Sequence, residues 1–352
     1  MNPSPLTFAL ALIFLWDGYF FFNYIISLFR NYRIKEWRPR VSIIIPAYNE
    51  GRRVLRAIRS ALAQDYPEFE VIVVDDGSDD DTFEVASSVS DPRLKVYRKE
   101  HGGKAKALNF GLSKASGEVI VTTDADGYLE PTAVRELVRR FYSDEVLAVG
   151  GQVRVMGNSF LERAQDVEHL RIAMFRRAKE LEDLSLAPGP VSAFRRDALE
   201  RTGGFVEDIV EDYATTKAVK RFGKVVYAPK ARAWTEMPKS LSALWRQRKR
   251  WFLGDLKNLG GGFTKDRAFL LLGDFVAFLD VSVPVLLLAT GSFGLFFLWW
   301  GFETVTILVP TLIEGGSLIN VLLFPAILWF WAGFYLSLHL YGYALLGGKV
   351  FK

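Results

Sequence analysis

Two acidic side chains one residue apart, Asp124 and Asp126, close the apolar run Val119-Ile120-Val121. A short apolar run followed by such a break reads as a buried strand, which puts the pair at a strand's end. In open α/β sheets the carboxyl ends of strands line the ligand crevice, and hard carboxylate oxygens there can hold Mg2+ or Mn2+ against a diphosphate. A solvated acidic turn would look the same. Other candidates share this placement. Asp76 ends a second apolar run and could accept from a nucleobase N–H or a ribose hydroxyl, or could as well organise a turn. Gly102-Gly103-Lys104 would let backbone and an ammonium approach phosphates, but it has neither the P-loop nor the dinucleotide spacing. Glu211 and Asp212 open a helical run, where an acidic pair also stabilises the helix through its dipole.

The elements that must position these residues alternate. Residues 41–46 (VSIIIP) read as a strand, followed by the loop Ala47-Tyr48-Asn49-Glu50-Gly51 and a helical pattern through Ala63. Residues 71–74 form a second strand ending on Asp75-Asp76-Gly77-Ser78, and a helix begins near Asp81. Residues 94–98 form a third, leading to His101-Gly102-Gly103-Lys104, and the run at Val119 a fourth. Strands alternating with helices predict a parallel sheet with crossover connections, with the polar loops gathered on one edge. Such an edge suits a nucleotide. Residues 147–155 read as a further strand and 159–184 as a charged helix, either interfacial or simply exposed.

Composition places this sheet between membrane segments. The 352 residues are 50% hydrophobic and 24% charged, with a mean hydropathy of +0.13, and the charge lies mostly between Arg30 and Arg267. Zero cysteines exclude disulfides, thiolate catalysis and zinc–thiolate sites. Net charge is +4, but the basic residues gather beside apolar segments, so anionic lipid is the expected partner and nucleic acid is not. Residues 6–29 are long enough to cross about 30 Å of hydrocarbon and read as a retained anchor. Asp17 inside this span is costly and reads as packed against another helix. Arg30, Arg33, Lys35, Arg38 and Arg40 follow it, which puts the central domain in the cytoplasm. Toward the other end, Asp274 and Asp280 argue that residues 269–280 lie at the membrane surface. The expected crossings are then residues 281–302 and 321–346, with 303–320 an outer or re-entrant loop. Lys349 and Lys352 finish inside, for three spans in all; counting 293–312 as its own span gives four.

Six stretches in order, VSIIIPAYNE, VIVVDDGSDDDT, GGKAKALNFGL, VTTDAD, VED at residues 210–212 and QRKRW at 247–251, resemble the inverting glycosyltransferases of family 2. Within it they are similar to the membrane-embedded synthases of poly-N-acetylglucosamine, hyaluronan, chitin and cellulose. The resemblance covers about residues 41–256. It implies the GT-A fold, an α/β nucleotide-sugar-binding sheet, here with transmembrane helices at both ends. The expected organisation is an anchor at 1–36, a GT-A domain at 37–236, interfacial amphipathic helices at 237–280 and transmembrane helices at 281–352.

Carried over residue by residue, the resemblance implies that Ala47, Tyr48 and Glu50 border the uracil and ribose, Asp76 contacts the base and Lys104 lies near the diphosphate. Asp124 and Asp126 would hold Mg2+ or Mn2+, neutralising the charge that develops on the leaving group. Gly189, Pro190 and Glu211 would border the acceptor, and Asp212 would be the base that deprotonates its hydroxyl. Gln247 and Arg250 would hold the diphosphate and Trp251 would stack on the acceptor sugar, although the basic, aromatic run 239–256 reads equally as an interfacial helix. The implied activity is transfer from a nucleotide sugar, expected to be UDP-linked, to a saccharide or lipid-linked acceptor, with a β-glycosidic bond and processive synthesis as one outcome. Single addition to a polyprenyl-phosphate or glycolipid acceptor is the alternative, and a non-catalytic nucleotide-sugar-binding scaffold is a rival of another class. The large synthases surround a secretion channel with more helices than this sequence offers. Homo-oligomerisation or a partner would have to supply the rest of such a wall.

Overall fold

The computed structural model describes residues 4–208, 210–258 and 265–346. The chain divides into two compact units: unit 1 comprises Met1–Phe29, Gly157–Ala178 and Met237–Lys352, and unit 2 comprises Arg30–Met156 and Lys179–Glu236.

In chain order the elements begin with α1 (Pro5–Leu28), β1 (Val41–Ala47), α2 (Val54–Leu62), β2 (Phe69–Asp75), α3 (Thr82–Ser87), β3 (Leu94–Arg98) and α4 (Lys104–Lys114). There follow β4 (Val119–Thr122), β5 (Gly127–Leu129), α5 (Ala133–Val138), β6 (Val146–Val155), α6 (Phe160–Lys179), β7 (Ser192–Arg195) and α7 (Arg196–Thr202). The last are α8 (Glu211–Val219), β8 (Lys224–Thr235), α9 (Leu241–Asn258), α10 (Lys265–Ala289), α11 (Phe293–Glu314), α12 (Leu318–Leu322) and α13 (Phe324–Leu346).

Unit 2 is built on one eight-stranded sheet in the order β3-β2-β1-β4-β7-β6-β8-β5. β1 pairs in parallel with β2 and β4, and β2 with β3. Crossover helices cover both faces of such a sheet, so its strands can be apolar throughout. Accordingly every residue of β2 and β4 is buried. The two-residue period separates the faces: Ile43 and Ile45 pack with Val54, Ala57 and Ile58 of α2, while Ile44 packs with Leu108 of α4 and Leu199 of α7. In α2 the buried residues Val54, Ala57, Ile58 and Ala61 fall at i, i+3, i+4 and i+7, one helical stripe.

The second half of the sheet departs from the all-parallel reading. β7 runs antiparallel to both β4 and β6, and β5 antiparallel to β8. These reversals decide what reaches the site. Thr122 pairs with Ser192, so the loop preceding β7 lies beside the end of β4, and Gly127 pairs with Thr235, so the end of β8 lies beside Asp126.

Unit 1 is helical. Three described helices are long and apolar enough to cross a membrane: Pro5–Leu28, Leu271–Ala289 and Phe293–Glu314. The first agrees with the expected anchor. The second and third correct the sequence reading, because the chain breaks at residues 290–292 rather than crossing continuously from 281 to 302, and 303–314 is helix, not loop. Asp280 is not a surface marker either: it is buried at 5% exposure inside α10. A hydropathy window takes a carboxylate as a boundary, whereas helices that pack together can enclose one. Residues 321–346, expected as a crossing, hold the end of α12 and the helix α13, and α13 is not among those three helices. Lys349 and Lys352 lie outside the described residues.

Candidate active site

The parallel strands β1, β2 and β4 deliver their carboxyl ends to one edge of the unit 2 sheet, and the candidate residues follow from there. Asp76, just past β2, is buried, and its carboxylate organises the next loop. It accepts from Gly103 N at 2.7 Å and from Gly102 N at 3.1 Å, and Lys99 Nζ and His101 Nδ1 stand 2.5 and 3.0 Å away. Gly77 makes the turn possible, with φ +74° and a position where a Cβ would lie 2.7 Å from His101 N. The half-exposed ring of Tyr48 lies over His101, with centroids 4.2 Å apart. Ala47 is buried at the end of β1, and its carbonyl accepts from Asp76 N at 2.8 Å. Between them Asn49 adopts φ +55°, and its side-chain oxygen accepts from Asp79 N at 2.9 Å. A non-glycine residue held in the left-handed region is a local strain of the kind found at working loops.

Lys104, the first residue of α4, forms the centre of the site. Its ammonium lies 2.7 Å from Asp124 Oδ1 and 2.8 Å from Glu211 Oε1. Burial disfavours the charge, but Asp124, Glu211 and Asp212 outweigh it and raise the pKa above the ordinary lysine value. Asp212, in the first turn of α8, accepts from Gly189 N at 3.2 Å and from Tyr213 N at 2.8 Å. Desolvation, with Glu211 beside it and Lys104 opposing, raises its carboxyl to about 6. Lys104, Asp124, Gly189, Glu211 and Asp212 line one small pocket with Thr122, Ser192 and Phe205. Pro190 follows Gly189 in the loop into β7, and the Gly189 carbonyl accepts from Thr122 Oγ1 at 3.1 Å.

Asp126 sits on the other side of the turn after β4. Thr235 Oγ1 donates to its Oδ1 at 3.2 Å, and Arg56 Nη2 donates both to its main-chain oxygen at 2.7 Å and to Glu236 Oε1 at 2.8 Å. Desolvation, then Asp124, raises Asp126 to about 6. Glu50 is raised to about 7 by desolvation and by Asp126, Asp124 and Glu236, against the pull of Arg53. Its Oε2 is buried and accepts no hydrogen bond, though Arg53 Nε lies 3.2 Å away. Asp126 and Glu50 are both raised by burial and by the negative charges near them, Asp124 among them, and one Glu50 oxygen is orphaned, a chemistry of hard oxygen donors that suits a divalent cation.

Sequence reasoning missed Asn49, Arg56, Thr235 and Glu236. Arg56 and Glu236 are 180 residues apart, and only the pairing of β5 with β8 brings them together. Asn49 carried a signal, since asparagine tolerates positive φ. Gln247, Arg250 and Trp251 lie on α9 of unit 1. There Arg248, 1% exposed, donates to Gln247 Oε1 at 2.5 Å, lies over the Trp251 ring at 4.1 Å and forms an ion pair with Glu168.

A profile of the glycosyl transferase family 2 domain matches residues 42–203. A probable glycosyltransferase of Bacillus subtilis (strain 168), YdaM, is 30% identical over 282 residues, which are 73% of this chain and 67% of that protein. The poly-β-1,6-N-acetyl-D-glucosamine synthase of Staphylococcus epidermidis is 30% identical over 230 residues, 61% of this chain and 54% of that protein. The chain thus spans about half the length of the synthases it matches. In fold it is similar to the mannosyltransferase PcManGT from Pyrobaculum calidifontis, solved with GDP-mannose and Mn2+. The TM-score is 0.62 at 22% identity, over 94% of this chain and 96% of that one. With the GT-A arrangement of the sheet and this extent of sequence agreement, the chain belongs to glycosyl transferase family 2.

Proposed function

We propose that the protein is a membrane-bound inverting glycosyltransferase that moves a sugar from a nucleotide sugar, UDP-linked, to a saccharide or lipid-linked acceptor. The observation that supports it best is the meeting of Asp124 and Asp212 in one pocket through Lys104, which lies 2.7 Å from Asp124 and 2.8 Å from Glu211, the neighbour of Asp212. A phosphate-facing carboxylate and a proton acceptor must stand this close if one sugar is to be released and bonded from opposite sides.

Asp212 takes the proton of the acceptor hydroxyl as that oxygen attacks the anomeric carbon. A carboxyl raised to about 6 is ionised at neutral pH yet more basic than an exposed aspartate. Backbone N–H groups of Gly189 and Tyr213 hold both its oxygens and aim the remaining lone pairs. Lys104 carries a fixed positive charge toward the leaving diphosphate. Tyr48, its ring tilted 31° over His101, offers a face for the base, and Asp76 holds that loop in place. Asp124 and Asp126 would hold Mg2+ or Mn2+, which supplies charge neutralisation to the departing nucleotide.

We further propose that Pro5–Leu28, Leu271–Ala289 and Phe293–Glu314 cross the cell membrane, with the residues after the Arg30–Arg40 basic run on the cytoplasmic side. The test is release of nucleoside diphosphate by the purified full-length protein with Mn2+ and a panel of nucleotide sugars. Turnover that survives Asp212→Asn rejects the base assignment, and a metal dependence unchanged in Asp126→Ala rejects the cation site.

A further inference from the structure

Three carboxylates that this reading does not use meet inside unit 1. Asp17, Asp280 and Glu303 each lie near the middle of one of its three apolar helices, α1, α10 and α11. They are 6%, 5% and 2% exposed, and a ligand oxygen from each lies within 4.8 Å of the other two. Among the described residues one positive charge faces them: Arg171 of α6 donates from Nη2 to Asp17 Oδ1 at 2.8 Å. Thr306 makes only a long contact of 3.4 Å to Glu303 Oε2. Asp17 Oδ2, Asp280 Oδ1 and Glu303 Oε1 are buried and accept no hydrogen bond.

Three carboxylates against one guanidinium leave two negative charges uncompensated in an apolar setting. Isolated charges there cost several kcal/mol each in order of magnitude, so something must neutralise them. A dipositive ion matches the deficit. The donor set is all hard oxygen, and three oxygens no more than 4.8 Å from one another are close enough to converge on one ion bonded at about 2.3–2.6 Å, the range of Ca2+. A cavity of about 430 Å³ is lined by Asp17, Asp280 and Arg171 together with the apolar Trp16, Val276 and Leu328. Arg171 would hold Asp17 in orientation, as an outer partner does for a metal-bound carboxylate.

We propose that unit 1 carries a structural site for a hard divalent cation, formed by Asp17, Asp280 and Glu303 and separate from the donor-binding carboxylates of unit 2. The ion ties α1, α10 and α11 together at their midpoints.

The test uses full-length protein in detergent, stripped with EDTA, in an Asp124→Ala/Asp126→Ala background that removes the two carboxylates proposed to hold the cation in unit 2. Equilibrium binding of radioactive Ca2+ should give one ion per chain, and the thermal midpoint should rise with Ca2+ and fall with chelator. Adding Asp280→Asn or Glu303→Gln should abolish both effects. No bound Ca2+ in the background protein overturns the proposal and leaves shared protons as the neutralising agent, and so does binding that survives Glu303→Gln. Should both variants fail to fold, Tb3+ luminescence excited through tryptophan decides. It should drop at least severalfold in Trp16→Phe/Trp299→Phe, because Trp16 lines the cavity and Trp299 neighbours Asp280, and unchanged emission overturns the site.

Discussion

Arg56 donates to the main-chain oxygen of Asp126 at 2.7 Å, and with the same nitrogen it grips Glu236 at 2.8 Å. The guanidinium therefore fixes the turn that presents Asp126 without touching its carboxylate. Arg56→Ala is expected to weaken the apparent Mn2+ affinity about tenfold or more, the equivalent of one charged hydrogen bond at about 1.5–3 kcal/mol, with Arg56→Lys restoring part of it. A manganese titration of nucleotide-sugar turnover measures this. An unchanged titration curve would mean that the turn holds its shape unaided.

Asp212→Asn keeps the shape of the side chain and removes its basicity. Turnover should fall by about 10²–10⁴-fold, the usual contribution of a positioned base, while binding of the nucleotide sugar stays within a factor of a few. Calorimetry with donor alone separates the two. Because the carboxyl is raised to about 6, wild-type turnover should climb as pH increases through that value and level off above it.

Lys104 lowers the pKa of Asp212 against desolvation and Glu211. Removing the ammonium in Lys104→Met should therefore shift the rising limb of the pH–rate profile toward alkaline pH and raise KM for the nucleotide sugar. A profile that keeps its midpoint would show that Lys104 acts on the diphosphate alone.

Glu70 makes a stability prediction far from the chemistry. Burial works against its charge, but Lys95, Ser116 and Ser42 hold the carboxyl down to about 2, with Lys95 Nζ at 2.8 Å and Ser42 Oγ at 2.7 Å. A depressed carboxyl stabilises the fold above its unfolded pKa near 4.5 and loses that contribution as pH falls toward 2. At about 1.4 kcal/mol per unit, discounted for the half-exposed Lys95, the contribution is on the order of 2 kcal/mol. Glu70→Gln should lower the thermal midpoint at pH 7 and flatten its decline between pH 4.5 and 2.

The parallel half of the sheet was legible because its signals are local. Apolar runs that end abruptly on Asp76 or Asp124 state both the strand and the edge at which it stops. The antiparallel half was not, since nothing near Ser192 or Thr235 tells that these residues will lie beside Thr122 and Gly127. The partners of Asp126 come from that half. Lys104 was placed near the phosphates from its loop, but its link to Glu211 spans 107 positions and depends on where α8 starts. The bounds of the C-terminal membrane helices were misjudged for the opposite reason. Asp280 was weighed, with Asp274, as a local interruption of hydropathy and Glu303 was given to a loop, although Asp280 and Glu303 are both buried among other helices.

The division of the chain has a practical consequence for anyone dissecting it. Unit 2 is discontinuous, entered at Arg30, left at Met156, resumed at Lys179 and left again at Glu236. No single pair of cuts can excise it. A soluble fragment requires a new linker from Met156 to Lys179 in place of α6, whose Ala164, Val167 and Leu170 would otherwise be stripped of their packing partners and drive the fragment to aggregate.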